Sequence, residues 1–109
     1  MKLVTLFLIF IFSMNLFAGE MFKNPRVNIN GVEHKIIFAV VYPDGQLVQY
    51  RSADGFCVSK GFERATENGS RNEIKGPYAI LDGLGNTREF MPNFNNKYAI
   101  YVYVGFTCE

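Results

Sequence analysis

Apolar and polar residues alternate through most of this chain with the two-residue period of β-strands, and one stretch breaks the pattern. Arg26-Val27-Asn28-Ile29 alternates. The Asn30-Gly31 that follows is a strong hairpin signal, because both residues accept the positive φ of a tight turn. The next run, residues 32–42, has one face of His34, Ile36, Phe38, Val40 and Tyr42 and another of Lys35, Ile37, Ala39 and Val41. Both faces are apolar at the centre, which predicts a central strand covered on both sides. Pro43-Asp44-Gly45 reads as a turn and residues 46–51 as the returning strand.

The break comes at Arg51-Ser-Ala-Asp-Gly-Phe-Cys-Val-Ser-Lys-Gly61. Ala53, Phe56, Cys57 and Lys60 fall on one side at helical spacing. Ser52 is positioned as the N-cap, Asp54 complements the dipole of the first turn, and Gly61 is the expected stop. Gly55 inside so short a helix costs about 1 kcal/mol relative to alanine. The predicted helix is marginal alone, so something must pin it.

Beyond it, residues 62–66 read as a strand and 68–72 as a polar loop. Residues 78–81 and 87–91 form a pair of strands across the turn Asp82-Gly83-Leu84-Gly85-Asn86, and 92–97 is another loop. The last run gives faces of Tyr98, Ile100, Val102, Val104, Phe106, Cys108 and of Ala99, Tyr101, Tyr103, Gly105, Thr107. Residues 20–25 read as an irregular arm. These elements predict an α+β, mainly β fold: a small antiparallel sheet of five to seven strands with one short disulfide-tethered helix. The helix should pack through Phe56 and Cys57 onto the Val102/Val104/Cys108 face. A small all-β barrel or sandwich is the alternative.

The N-terminus changes where the domain begins. Met1-Lys2 is followed by an apolar run that ends near Phe17-Ala18-Gly19, the layout of a secretory signal peptide. The unbroken apolar part is shorter than the ~20 residues of a membrane span. We therefore expect a signal over 1–18, one exported domain over 19–109 with no membrane span after cleavage, and a secreted or periplasmic location. Cys57 and Cys108 both lie in the exported part, where a disulfide is the simplest fate of two thiols. It would close a loop of about 50 residues and contribute about 4 kcal/mol in the chain-entropy treatment.

Charge removes one class of partner. Eleven Lys and Arg, one of them Lys2, oppose ten Asp and Glu, so residues 19–109 are near neutral and carry no basic stripe. Nucleic-acid binding draws on clustered phosphate contacts and is not expected.

Candidate chemistry is sparse. A cysteine nucleophile needs a neighbouring base, and nothing places His34, the single histidine, beside Cys57. His34 has no companion ligands for a metal and reads as a partly exposed sheet residue. Gly83-Leu84-Gly85 resembles the start of a dinucleotide fingerprint, but Arg88 stands where the third glycine belongs. No cofactor is expected. A hydrolase would need two converging carboxyls, for which the chain offers Glu63, Glu67, Asp82 and Glu89. The tyrosines are more suggestive. Tyr101 and Tyr103 alternate on the face opposite Cys108, with Tyr50 on a neighbouring strand, and such a face can anchor a protein or stack on a glycan unless a second layer covers it.

The segment Ala53-Asp54-Gly55-Phe56-Cys57 with Gly61-Phe62 resembles the disulfide-bearing helix of several small secreted domains, lectin-like ones included. That resemblance carries no ligand signature. The expectation is a non-enzymatic exported domain that binds a protein or glycan at the cell envelope. The alternatives are an inhibitor of a secreted enzyme presenting residues 69–75, and a small carboxylate-dependent hydrolase.

Overall fold

The computed structural model describes residues 19–92 and 97–109. The leader expected over 1–18 and most of the loop expected over 92–97 lie outside them. Ten strands and one helix follow in the order β1 (Glu20–Lys23), β2 (Arg26–Ile29), β3 (Val32–Val41), β4 (Leu47–Gln49), α1 (Ser52–Ser59), β5 (Ala65–Glu67), β6 (Ser70–Asn72), β7 (Tyr78–Leu81), β8 (Thr87–Phe90), β9 (Ala99–Tyr103) and β10 (Gly105–Cys108). The fold is α+β and mainly β, with no closed barrel among the described residues.

Strand β3 organises the larger, seven-stranded sheet. Its first half pairs with β2 and β7, and its second half with β4 and β9. The predicted turns join these neighbours: Asn30 and Gly31 take φ of 53° and 85° between β2 and β3. Asp44 Oδ1 accepts the Gln46 N–H at 2.9 Å between β3 and β4. One pairing departs from the antiparallel expectation. Lys35 and Ile36 meet Tyr78 and Ala79 in parallel, because α1 and three short strands carry the chain back before β7 begins.

The smaller sheet has the order β1-β10-β5. Residues 20–23, expected as an arm, form β1, with Phe22 opposite Phe106. The polar loop expected over 68–72 includes β6, whose Arg71 pairs with Val102. Short edge strands of this kind are held by their partners and carry no apolar alternation of their own.

Two irregularities rearrange the faces read from the sequence. The register of β3 slips between Ile37 and Ala39, so Val40 and Tyr42 join the side of Ile37 while Ile36 and Phe38 keep the other. The long final strand is broken at Val104, which moves Phe106 and Cys108 to the side of Tyr103. A single extra residue reverses every side chain beyond it. Val104 therefore leaves the ladder and hydrogen-bonds instead to Gly69 and Asn24.

Two cores result. The first gathers Ile36, Ala53, Phe56, Cys57, Leu81, Tyr103, Phe106 and Cys108 beneath α1. Helix α1 thus packs on Tyr103, Phe106 and Cys108, rather than on a Val102/Val104/Cys108 face; Val102 belongs to the other core and Val104 is partly exposed. Phe22, Phe56, Phe106, Tyr103 and Phe38 run through the first core edge to face, successive rings 5.0, 5.1, 5.4 and 5.3 Å apart. Each such pair adds about 1 kcal/mol to what burial contributes. The second core holds Ile37, Val40, Tyr78, Ile80, Ile100 and Val102.

The helix is fastened at four points. The Cys57–Cys108 disulfide ties it to β10, with both residues fully buried. Asp54 Oδ1 accepts the Ala65 N–H of β5 at 2.9 Å. Phe62 N–H donates to the Cys57 carbonyl and Gly61 N–H to the Val58 carbonyl, the paired C-terminal bonds that a left-handed glycine (φ 93°) permits. Ser52 has a different role from the one expected. Arg51 is the N-cap, while the buried Ser52 hydroxyl accepts the Leu81 N–H of β7 at 3.2 Å.

Candidate functional site

The tyrosine face does not form. Tyr103 is 2% exposed, because the break at Val104 brings Phe106 and Cys108, and α1 with them, to its side, where it joins the aromatic row. Its hydroxyl donates to the Tyr50 carbonyl at 3.1 Å. Burial pushes its phenol far above the ordinary range, against a hydrogen bond from the Ala53 backbone and with the Glu67 and Asp54 charges adding to the rise. Tyr101 is half-buried on β9, and Tyr50 packs at the margin of the second core. The three do not share one surface.

The carboxylates expected for hydrolysis are also dispersed. Glu67 lies on β5 in the small sheet, where burial first and the neighbouring Asp54 second raise its carboxyl. Glu63 is exposed after α1. Asp82 closes the β7–β8 turn, accepting from the backbone of Leu84 and Asn86 and from the Asn86 side chain. Glu89 alone of the four lines a cleft.

That cleft encloses about 330 Å³ between the β6–β7 loop, the end of β8 and the start of β9. Its walls are mainly apolar: Ile74, Pro77, Tyr78, Phe90, Met91 and Tyr98. Two of its lining side chains are unusually open, Ile74 at 89% and Met91 at 76%. A lone exposed apolar residue needs no explanation, but two bordering one apolar hollow single it out as the candidate site.

The loop that carries Ile74 is fixed on both sides. Glu73 N–H donates to the Ile100 carbonyl at 2.8 Å, and the Tyr78 hydroxyl donates to the Glu73 carbonyl at 2.8 Å. Lys35 Nζ donates to the Lys75 carbonyl at 2.7 Å. The Glu73 carboxylate sits 3.4 Å from Lys35 Nζ and 3.3 Å from Arg71 Nε. Desolvation works against its charge, but these two cations outweigh it and hold the carboxyl below its usual range. Tyr78 is buried beside it, and desolvation together with the Glu73 charge raises its phenol. The segment thus offers an isoleucine on a backbone with little freedom left to lose.

Behind the cleft wall lies His34, which the structure places in the interior at 3% exposure rather than at the surface. The slip in β3 comes after it, so it keeps the face of Ile36. Its Nδ1 is 2.8 Å from the Val32 carbonyl, and its Nε2 has no hydrogen-bond partner. Glu89 Oε1 stands 3.5 Å from that nitrogen.

Among the described residues no three His, Cys, Asp or Glu side chains are grouped to hold a metal, and no helix is long and apolar enough to cross a membrane. The cleft was missed in the sequence because it draws on three separated segments. One signal was present: Ile74 is the single apolar residue between charges in Arg71-Asn-Glu-Ile-Lys75. No protein family, curated protein or solved structure matches this chain.

Proposed function

We propose that this is an exported binding domain that takes an apolar side chain of a protein partner into the cleft between Ile74 and Met91. The observation that carries the reading is a large apolar side chain, 89% exposed, on a loop whose flanking carbonyls are both held. Binding that requires no ordering of the loop keeps more of its contact energy. A protein is favoured over a glycan because the cleft is mainly apolar and the Glu73 carboxylate is engaged by Lys35 and Arg71. Export rests on the N-terminal pattern, and an oxidising compartment also suits a buried disulfide.

The same loop supports a second reading, an inhibitor that inserts Ile74 into an apolar subsite of a secreted enzyme. The two differ in which side supplies the pocket. Ile74→Ala abolishes an inserted anchor, whereas Met91→Asp fouls a receiving cleft.

The test is a comparison of partners retained from exported proteins by the domain and by three variants. Ile74→Asp and Met91→Asp should each lose the partner, while Leu47→Asp, at an exposed apolar site that does not line the cleft, should keep it. A loss of about tenfold or more is expected for a buried anchor. A partner held equally by both cleft variants would refute the assignment.

A further inference from the structure

We propose that His34 and Glu89 form a one-proton site that couples the shape of the cleft to pH; the coupling to binding rests on the cleft being the binding site. The argument begins with the Val32 carbonyl. A carbonyl oxygen has no proton to give, so at 2.8 Å the proton between it and the ring belongs to Nδ1. The neutral ring then presents Nε2 as a bare acceptor, buried and without a donor. The group facing it is the Glu89 carboxylate, a second acceptor, at a separation longer than a hydrogen bond.

One added proton resolves this confrontation. Taken from water, it makes the pair either imidazolium with carboxylate or imidazole with carboxylic acid, and both are joined by a hydrogen bond. Glu89 is then drawn inward towards β3. When the proton returns to water, the two acceptors repel, and Glu89, about half exposed, turns to solvent. The neighbouring charges do not replace it. Arg26 on β2 spends its guanidinium on the Asn24 and Pro25 carbonyls. Lys35 on β3 is engaged by Glu73 and Lys75, and Tyr78 on β7 by the Glu73 carbonyl.

The consequence reaches the cleft through β8. Glu89, Phe90 and Met91 are consecutive in its wall, and among the described residues β8 is paired to β7 alone. A strand held on one side can follow its own glutamate. Proton uptake by the pair therefore repositions Met91 at the cleft, and whatever favours one position of Met91 changes proton affinity in return.

The test uses the partner-free domain, so it stands or falls apart from partner binding. His34 is the single histidine, and its ring resonances need no assignment. With methionine methyls labelled, we expect the Met91 signal to move over the same pH interval as the ring. Lys35 and Arg71 hold the Glu73 carboxyl below its usual range, so it does not confound the reading. Glu89→Gln supplies an amide N–H to the bare Nε2 at every pH, so the Met91 signal should become flat. A Met91 signal that ignores the ring, or that responds unchanged in Glu89→Gln, overturns the coupling. A ring that shows no titration at all overturns the proton site itself.

Discussion

Gly55 and Gly85 face each other across the seam between α1 and the β7–β8 turn. A Cβ on Gly85 would lie 2.7 Å from the Gly55 carbonyl oxygen, and a Cβ on Gly55 would overlap the Asp82 carbonyl oxygen. The glycine that weakens the helix is what lets it approach the turn.

This fixes the sign of one substitution. Helix propensity alone makes Gly55→Ala stabilising by about 1 kcal/mol. The overlap with Asp82 is with backbone, which cannot rotate away, so the net effect should be a loss of about 1–3 kcal/mol. Urea denaturation of the variant measures it, and a gain in stability would show that the seam opens freely.

Tyr101 and Tyr103, adjacent on one face in the plain alternation, should behave differently. Tyr103→Ala removes a core ring and should cost about 3–5 kcal/mol, while Tyr103→Phe keeps the ring and loses the hydroxyl's bonds to the Tyr50 carbonyl and the Ala53 backbone, about 1–2 kcal/mol. Tyr101→Ala should cost less than Tyr103→Ala. Equal losses at the two positions in thermal or chemical unfolding would contradict the burial of Tyr103 beneath α1.

Acid should weaken the β7–β8 turn. The Asn86 side chain and the backbone N–H groups of Asn86 and Leu84 hold the Asp82 carboxyl below its ordinary value. A depressed folded value means the stabilising contribution is complete above the unfolded value of about 4 and is lost as pH falls through the folded one. Glu73, also held low, follows the same sign. Asp82→Asn should flatten part of the acid limb in denaturation curves recorded below about pH 4; an unchanged limb would remove Asp82 from the account.

The disulfide closes a loop with a sequence separation of 51, worth about 4 kcal/mol in the chain-entropy treatment. Cys57→Ser with Cys108→Ser should lower the denaturant midpoint accordingly. The native protein should resist alkylation until it is both unfolded and reduced.

Local chemistry was legible in the sequence and long-range placement was not. Asn30-Gly31, Pro43-Asp44-Gly45 and Gly61 declare their turns through residues that only a few conformations suit. Cys57 and Cys108 declare each other by being the only two. The slips at residues 37–39 and at Val104 leave no such mark, because an extra residue in a run of β-formers still reads as β. Everything after each slip is then assigned to the wrong face: the plain alternation sets Phe106 and Cys108 opposite Tyr103, which leaves Tyr103 looking uncovered and Val104 looking buried. Strands β1 and β6 escape notice for another reason: they are four and three residues long and draw their order from partners far away in sequence. The cleft inherits both difficulties. Its most telling residue, Ile74, looks like an accident of composition until its flanking carbonyls are seen to be held.

Strand β3 has four neighbours, and both cores close against it, Ile36 into one and Ile37 into the other. No route exists by which one core can melt while the other keeps its central strand intact. The domain is thus built to lose its structure in a single cooperative event, and the amides at the middle of β3 should exchange with solvent only when the whole domain opens, while those of β6 and β8 exchange by local fraying.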